Sequence, residues 1–391
     1  MKFSYSKTSL IYILLLIPFF AVAQTGANTN GSNSANAIPT AVPFLNISPD
    51  SRSGAMGEAG AAISPDVNAT YWNPSKLAFL DTASNAVSLS YSPWLRHLVP
   101  DVSLSYLSFA HKLDGRNTLG ASLRYFNLGS IQLIDANQNE QGTYRPSEFS
   151  LDVSFARKFG NDFSLGLTAR YIHSNLSSQS FASGTSQQTK AGNAFAADIS
   201  MYHTGNHQQF GKDASFSYGI DISNIGTKVS YTDVGPSYFL PTNLRVGFAN
   251  TLDIDDVNQI TLAFDINKLL VPTPPLRDIN GNVIKGKNDD VSVPAGIFGS
   301  FSDAPGGFSE EFKEITFSPG FEYLYNQQFA IRAGYFYENA DKGGRQYLTM
   351  GLGLKYDVYH FDFSYLAATQ QASPLANTLR FTLALNFGGN K

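Results

Sequence analysis

Side chains able to do chemistry are few in this chain and widely scattered. Its 391 residues include six histidines and no cysteine. Only His203 and His207 stand at a spacing that suits a metal, and they fall at a turn between two predicted strands, where two imidazoles alone make a poor zinc site. Asp278-Ile279-Asn280-Gly281-Asn282 opens like a calcium loop but lacks the distant bidentate Glu, so it reads as a turn. Gly54, Gly57 and Gly60 are not followed by a Lys-Ser or Lys-Thr pair and lie in no βαβ unit, which excludes a phosphate loop. No nucleophile signature is present. The expectation is a non-enzymatic protein with no catalytic residue, metal or cofactor. The lack of cysteine also excludes disulfides and a lipidated N-terminal cysteine.

What the spacing does offer is ion pairing. Arg124, Asp152, Arg170, Asp198, Asp221, Arg245, Asp265, Arg332, Lys355, Asp362 and Arg380 all stand on the polar side of alternating segments. Six are basic and five acidic, so they can pair with one another if they share an interior. The elements that must hold them are strands. In 347–356, Leu348, Met350, Leu352, Leu354 and Tyr356 alternate with Tyr347, Thr349, Gly351, Gly353 and Lys355. In 379–387, Leu379, Phe381, Leu383, Leu385 and Phe387 alternate with Arg380, Thr382, Ala384 and Asn386. Successive side chains on a strand point to opposite faces, so each segment has one apolar and one polar face.

Fourteen such segments are predicted, at 85–92, 102–112, 118–126, 147–159, 163–174, 194–203, 214–223, 242–252, 257–267, 315–326, 328–337, 347–357, 358–366 and 376–388. Lengths near ten suit tilted transmembrane strands. The links alternate between tight ones, such as Leu113–Asn117, Gly160–Asp162 and Leu252–Asp256, and long ones, such as 127–146, 175–193, 224–241 and 268–314. Membrane barrels sort their connections this way, with short periplasmic turns and long outer loops, and an even strand count returns both barrel ends to the periplasm. A soluble sheet with so many outward Leu, Phe and Tyr residues would need a second apolar layer that the sequence does not supply. The fold class is therefore all-β, a closed antiparallel membrane barrel of about fourteen strands. The 20 Tyr and 30 Phe residues suit its interfaces with lipid headgroups. A net charge of −4 argues against a nucleic-acid partner.

Ahead of the barrel, Lys2 and Lys7, the apolar stretch from Leu10 and Ala21-Val22-Ala23 make a signal peptide over 1–23. Residues 24–38 read as a flexible leader and 39–83 as a segment of small residues, with the barrel proper at 84–391. Fourteen strands enclose more space than their own side chains fill, so 39–83 is expected in the lumen as a plug. Gly54, Gly57 and Gly60, with the alanines between them, would let its backbone approach the wall, and Asn73-Pro74 would fix a bend. Such a plug is either a hatch that shuts the bore or shapes a ligand path, or a static cork.

The stretch Arg52-Ser53-Gly54-Ala55-Met56-Gly57-Glu58-Ala59-Gly60-Ala61-Ala62, then Asp66, Ala69 and Tyr71-Trp72-Asn73-Pro74, resembles the N-terminal plug of FadL-like outer-membrane barrels. It is more closely similar to the PorV family of the Bacteroidetes type IX secretion system, and the resemblance extends over the mature chain. It implies a plug built on Arg52, Gly54, Met56, Gly57, Gly60, Asp66, Asn73 and Pro74. It also implies an outer-membrane location with loops at the cell surface. The implied partners are secreted cargo, bound through C-terminal signal domains, a SprA (Sov) type translocon, a PorU-type sortase complex and membrane lipid. One departure is that Phe387 is followed by Gly388-Gly389-Asn390-Lys391, whereas many such barrels end on an aromatic residue.

The 268–314 loop is the most unusual segment, with Ile297, Phe298, Phe301, Phe308 and Phe312 among prolines and acids. Long loops of this kind usually carry function. Either its aromatic residues contact a partner, or they pack inward as a lid. Two functions follow: a subunit that binds cargo and passes it from translocon to sortase, or a FadL-type channel for hydrophobic small molecules. The second would need an apolar pocket near the outer rim and a breach in the wall, for which Pro319 is the candidate.

Overall fold

The computed structural model describes residues 36–80, 85–94, 101–134, 139–176, 190–369, 375 and 377–388. The expected signal peptide and most of the leader lie outside the described residues. Fourteen antiparallel strands close into one barrel. They are β1 (Asn85–Pro93), β2 (Val102–Lys112), β3 (Asn117–Leu128), β4 (Ser147–Phe159), β5 (Phe163–Asn175), β6 (Gly192–Gln209) and β7 (Lys212–Gly226). The ring continues with β8 (Asn243–Asp253), β9 (Asn258–Leu269), β10 (Ile315–Tyr325), β11 (Phe329–Tyr337), β12 (Gln346–Tyr356), β13 (Tyr359–Ala368) and β14 (Thr378–Phe387). β1 pairs with β14 from Asn85↔Phe387 to Tyr91↔Phe381, so no sheet edge is left along the wall. Closure of this kind is what lipid demands, since hydrocarbon cannot satisfy a free edge.

The period-two pattern determines which face is which. On β3, Leu119, Leu123 and Tyr125 are exposed to the outside, while Ser122, Arg124 and Phe126 are buried within. On β12, Leu348, Met350, Leu352 and Leu354 face out and Tyr347 and Thr349 face in. The tight turns have local causes. Asp114 accepts from the backbone N–H groups of Arg116 and Asn117 at 2.7 and 2.8 Å, and Asp255 does the same for Val257 and Asn258 at 3.0 and 2.9 Å. These Asx turns reverse the chain in few residues. All the tight turns lie at one end of the barrel, here the turn end; the other is the long-loop end.

Three features differ from the sequence reading. The link 203–213 is no loop. β6 and β7 run on as a paired hairpin to Gln209 and Lys212, closed by a two-residue turn at Phe210-Gly211. The 127–146 link holds a hairpin of its own, Ile131–Ile134 paired with Glu140–Tyr144. Lys355 keeps its inward parity but is exposed, because it lies at the last turn of the barrel rather than in the enclosed lumen.

Residues 36–80 run through the lumen from one end to the other. They enter at the long-loop end, where Asn36 Nδ2 donates to Glu310 Oε1 at 3.0 Å and the Ala41 N–H donates to the Phe239 carbonyl at 2.9 Å. Val42, Phe44 and Leu45 then pack with Val102, Leu104, Phe126 and Ile172 of the inner wall and with Leu240 of the β7–β8 link. Helix α1 (Ser51–Ala55) and the single turn α2 (Ala69–Trp72) follow, and Pro74–Phe79 is a 3₁₀ turn. The segment leaves at the turn end, where Lys112 Nζ donates to the Leu80 carbonyl at 2.7 Å. Barrel strands therefore begin and end at the turn end, while the described chain itself starts at the opposite mouth. Alternation along strands carries no information about that entry point.

Candidate functional site

The lumen is a site built on paired charge. Asp50 starts α1 by accepting from the Ser53 N–H at 3.0 Å, and its other oxygen takes Trp72 Nε1 at 2.6 Å. That cap aims Arg52 at the wall. Arg52 donates from Nε and Nη2 to Glu322 on β10, at 3.2 and 3.0 Å, and from Nη1 to Asp66 at 3.1 Å. Its guanidinium also holds Ser64 through the carbonyl at 3.0 Å and the hydroxyl at 2.6 Å. Glu322 is shared with Arg332 on β11 at 2.6 Å, and Arg332 goes on to Asp362 on β13 at 2.6 Å. A chain of five alternating charges thus runs from Asp66 in the lumen segment to the wall. Fork-shaped guanidinium groups suit this bridging between carboxylates.

The other expected residues lie along the same path. Gly57 has φ +69°, its N–H donates to Thr349 Oγ1 at 2.8 Å, and an added Cβ would lie 2.5 Å from the Tyr335 carbonyl oxygen. Only glycine fits there. A Cβ on Gly54 would meet the Arg380 guanidinium at 2.6 Å. Met56 is fully buried with Ile63, Ala249 and Ala263. The N–H groups of Gly60 and Ala61 donate to Asp265 Oδ2 at 2.8 and 2.9 Å, a two-pronged grip on β9. Asn73 donates to the carbonyls of Ala61 and Met201 at 3.0 and 2.9 Å, and Pro74 starts the 3₁₀ turn behind it.

Most inward charges elsewhere find a partner as well, but both carboxylate oxygens of buried Asp221 on β7 lack a hydrogen bond. Arg170 bridges Asp152 at 2.7 Å and Asp198 at 2.8 Å, Arg380 meets Glu58 at 3.2 Å, and Arg245 donates to the Trp72 carbonyl at 3.0 Å. Arg124 donates to the Leu45 carbonyl at 2.7 Å and lies 4.4 Å from the Tyr71 ring centre. Sequence reasoning named Trp72 only within the motif Tyr71-Trp72-Asn73-Pro74 and did not single out Asp50, Lys76 or Glu322. Glu322 could have been found, since it shares the inward parity of Gly320 on β10. Lys76 had no such signal; its Nζ donates to the Gly60 carbonyl at 2.7 Å inside the segment's own fold.

At the long-loop end the 268–314 segment is folded, with a small hairpin (Leu276–Arg277 with Val283–Lys285), helix α3 (Val293–Gly299) and helix α4 (Phe308–Lys313). One side of α4 is pinned by charge. Lys268 at the end of β9 donates to Glu311 at 3.0 Å and to Glu314, and Lys342 reaches Glu310 at 2.6 Å and Glu314 at 3.0 Å. Glu311 Oε1 also accepts from the N–H groups of Asp303 and Ala304 at 2.7 and 2.9 Å. The bonds to Lys342 and Asn36 outweigh burial at Glu310 and hold its carboxyl below the usual range. Burial pushes the Asp303 carboxyl up to about 6. With that side fastened, the aromatic residues turn outward. Phe298 is 79% exposed, Phe301 50%, Phe308 85% and Phe312 58%, while Ile297 is half-buried.

Beneath α4 lies a mouth cavity of about 290 Å³, lined by Tyr71, Trp72, Asn243, Arg245, Asn267, Glu338 and Arg345 among others. A larger concavity of about 760 Å³, lined by Leu89, Phe329, Ile331, Leu352, Phe361 and Phe381, lies on the outer wall and faces lipid rather than the lumen. His203, the histidine nearest a metal spacing, stacks on Tyr218 at 4.9 Å.

Comparison with known proteins identifies the family. No curated protein matches the chain. Among solved structures, the toluene transporter TodX of Pseudomonas putida is similar at 11% identity and TM-score 0.48, covering 88% of this chain and 100% of that one. The toluene transporter TbuX of Ralstonia pickettii is similar at 12% identity and TM-score 0.43, covering 86% and 97%. A FadL homologue of Pseudomonas aeruginosa is similar at 11% identity and TM-score 0.41, covering 91% and 100%. The family model of type IX secretion system protein PorV matches residues 30–276, which is most of the chain. It spans the lumen segment and the first nine strands of the ring. The chain therefore belongs to the PorV family and is an outer-membrane component of the type IX secretion machinery.

Proposed function

We propose that the protein is a membrane-anchored docking subunit. It binds the C-terminal signal domain of secreted cargo at its long-loop end and passes the cargo from a SprA (Sov) type translocon to a PorU-type sortase complex. In this reading the long loops face the cell surface, the turn end faces the periplasm, and residues 39–83 act as a plug. The observation that carries it is the outward aromatic face of α3 and α4, held by buried ion pairs on the opposite side of α4. Phe298, Phe301, Phe308 and Phe312 are all exposed in one loop among charged residues, and the α4 pair stands on a fixed support, a composition suited to protein contact. Pre-fixing the helix lowers the ordering cost of binding. A filled lumen is consistent with a role in which nothing passes through the bore, and no catalytic step is assigned.

The test is a quadruple Phe298→Ser, Phe301→Ser, Phe308→Ser, Phe312→Ser variant that leaves the pinning glutamates in place. Cargo bearing a signal domain should no longer co-purify with the barrel, while the barrel keeps its heat-modifiable migration on a gel. Undiminished cargo recovery would refute the docking face.

One observation favours the second reading, a channel for hydrophobic molecules. The β10–β11 ladder pairs at Phe317↔Tyr337 and resumes at Gly320↔Gly334, leaving Ser318-Pro319 and Tyr335-Phe336 unpaired with each other, though each stays paired with its other neighbouring strand. Proline at 319 removes a ladder donor. Against that reading, the mouth cavity is lined by arginine, glutamate and asparagine, and the backbone of Gly57 sits against the gap. A lipid or aromatic hydrocarbon retained inside the purified barrel would favour the channel.

A further inference from the structure

The turn end carries one structure that the docking role does not use. On the β5 side β6 and β7 outrun the wall as a finger, Thr204–Asp213, while β7 stays paired with β8 as far as Leu252↔Ala214. Pairing of β6 with β5 stops at Phe163↔His203, followed by one bond from the Thr204 N–H to the Asp162 carbonyl at 2.9 Å. Pairing of β6 with β7 continues six residue pairs further, to Gln209↔Lys212. One edge of β6, over Gly205–Gln209, is therefore open for about 17 Å at strand rise. The direction of its free groups follows from the ladder. Thr204 directs its N–H toward β5, and the pattern has a period of two, so Asn206 and Gln208 present their backbone N–H and C=O groups to the open side.

Three further observations point to an occupant. Exposed edges are normally blunted by lysine, proline or a bulge. Here the edge reads Gly205-Asn206-His207-Gln208-Gln209, with none of these. The tip is Phe210, 86% exposed and held at φ +55° ahead of Gly211 at φ +71°. That turn type favours Asn-Gly, and a bulky side chain is unfavourable in it. Among the described residues Phe210 makes no ring contact with another aromatic side chain, so an aromatic residue stands exposed at a costly position. Finally, the hollow beside the finger is acidic. Asp213 and Asp253 line a hollow of about 430 Å³ with Asn206, Gln208 and Gln259, and the neighbouring turns carry Asp162, Asp255 and Asp256, against the finger's Lys212.

We propose that this finger is a docking site for an extended, basic segment of a periplasmic protein. The segment adds as a strand to the β6 edge through Asn206 and Gln208, packs an apolar side chain on Phe210 and sets its cations over the acidic hollow. Strand addition of this kind draws affinity from main-chain bonds and specificity from alternate side chains. The assignment to the periplasm rests on the orientation proposed above.

The experiment uses the full chain in intact cells, with p-benzoylphenylalanine in place of Phe210 and, as control, in place of exposed Leu113 at another tight turn. The expected result is a protein adduct at position 210 only, whose cross-linked peptide carries Lys or Arg in an extended segment. The adduct should fall at least tenfold in an Asn206→Pro, Gln208→Pro background, since both substitutions remove donors from the open edge and leave the β7 ladder intact. Adducts with lipid alone, no adduct at all, or an adduct insensitive to the prolines would overturn the proposal. A cysteine at 210 probed with an impermeant maleimide checks the orientation separately. Labelling from outside intact cells would overturn the orientation, whereas protection combined with any of the failed outcomes would count against the finger alone.

Discussion

Replacing Arg52 by methionine isolates the bond between lumen segment and wall. Methionine keeps most of the aliphatic stem and removes the guanidinium, so packing changes little. In the native protein that group is mostly buried and holds Glu322, Asp66 and Ser64 together. Its loss leaves Glu322 with Arg332 alone and Asp66 with the Asn68 N–H. Removing one partner of a buried ion pair costs about 3–5 kcal/mol, chiefly from the carboxylate left behind. Because Glu322 retains one cation, the lower end applies, about 3 kcal/mol. At 1.4 kcal/mol per decade, opening of the segment should become roughly a hundredfold easier. Hydrogen exchange of residues 50–75 in detergent-solubilised barrel reads this directly, with strand amides of β10 and β11 as the unaffected reference. Adding Glu322→Gln should recover part of the loss, since the stranded charge is then gone and Arg332 keeps Asp362. An exchange change below threefold in the single variant, or a double variant worse than the single, would refute the view that paired charge fastens the segment.

Three more outcomes follow from the same geometry. Gly57→Val places a side chain at φ +69° and within 2.8 Å of fixed backbone atoms of Tyr335 and Pro319, so it should cost about 3 kcal/mol and lower the yield of heat-modifiable barrel. Lys268→Met leaves Glu311 and Glu314 short of a cation at the base of α4. Proteolysis within 293–313 should accelerate at least tenfold, and unchanged cleavage would mean that the ion pairs do not hold the helix. Asp303 faces Glu311, Glu314 and Lys268, and burial raises its carboxyl from 3.8 to about 6. A raised acid binds more protons when folded, so packing of the loop is favoured below about pH 4, weakens as pH rises to about 6, and is flat above. Exchange at the Lys287 amide, which donates to the Asp303 carbonyl, should follow that profile and lose it in Asp303→Asn.

Strand positions were legible in the sequence because a strand advertises itself locally. Side chains alternate every second residue, so Leu348 to Leu354 or Leu379 to Phe387 declare a face without reference to any distant residue. The same parity placed Arg124, Asp152, Arg170 and Arg332 on the inside. It placed Lys355 on the correct face but could not say that this face opens to water at the last turn. The aromatic set Phe298, Phe301, Phe308 and Phe312 stood out by composition, but the glutamates that turn it outward did not. Lys268, Glu310, Glu311, Glu314 and Lys342 come together only when β9, α4 and the loop before β12 are brought to one rim.

The amino-acid sequence by itself determined the number of strands, their inward and outward faces, the sorting of short turns from long loops, and the glycine-rich segment that cannot form a strand. These properties depend on neighbours one to four residues apart. Tertiary structure alone decided which charges meet, that the lumen segment enters at the long-loop mouth, and that the β6–β7 hairpin outruns the wall on its β5 side. Arg52 and Glu322 are 270 residues apart in the chain, and Ala55 and Thr349 are 294 apart. Contacts at such separations depend on how the ring closes and on what fills it, and no local periodicity encodes either.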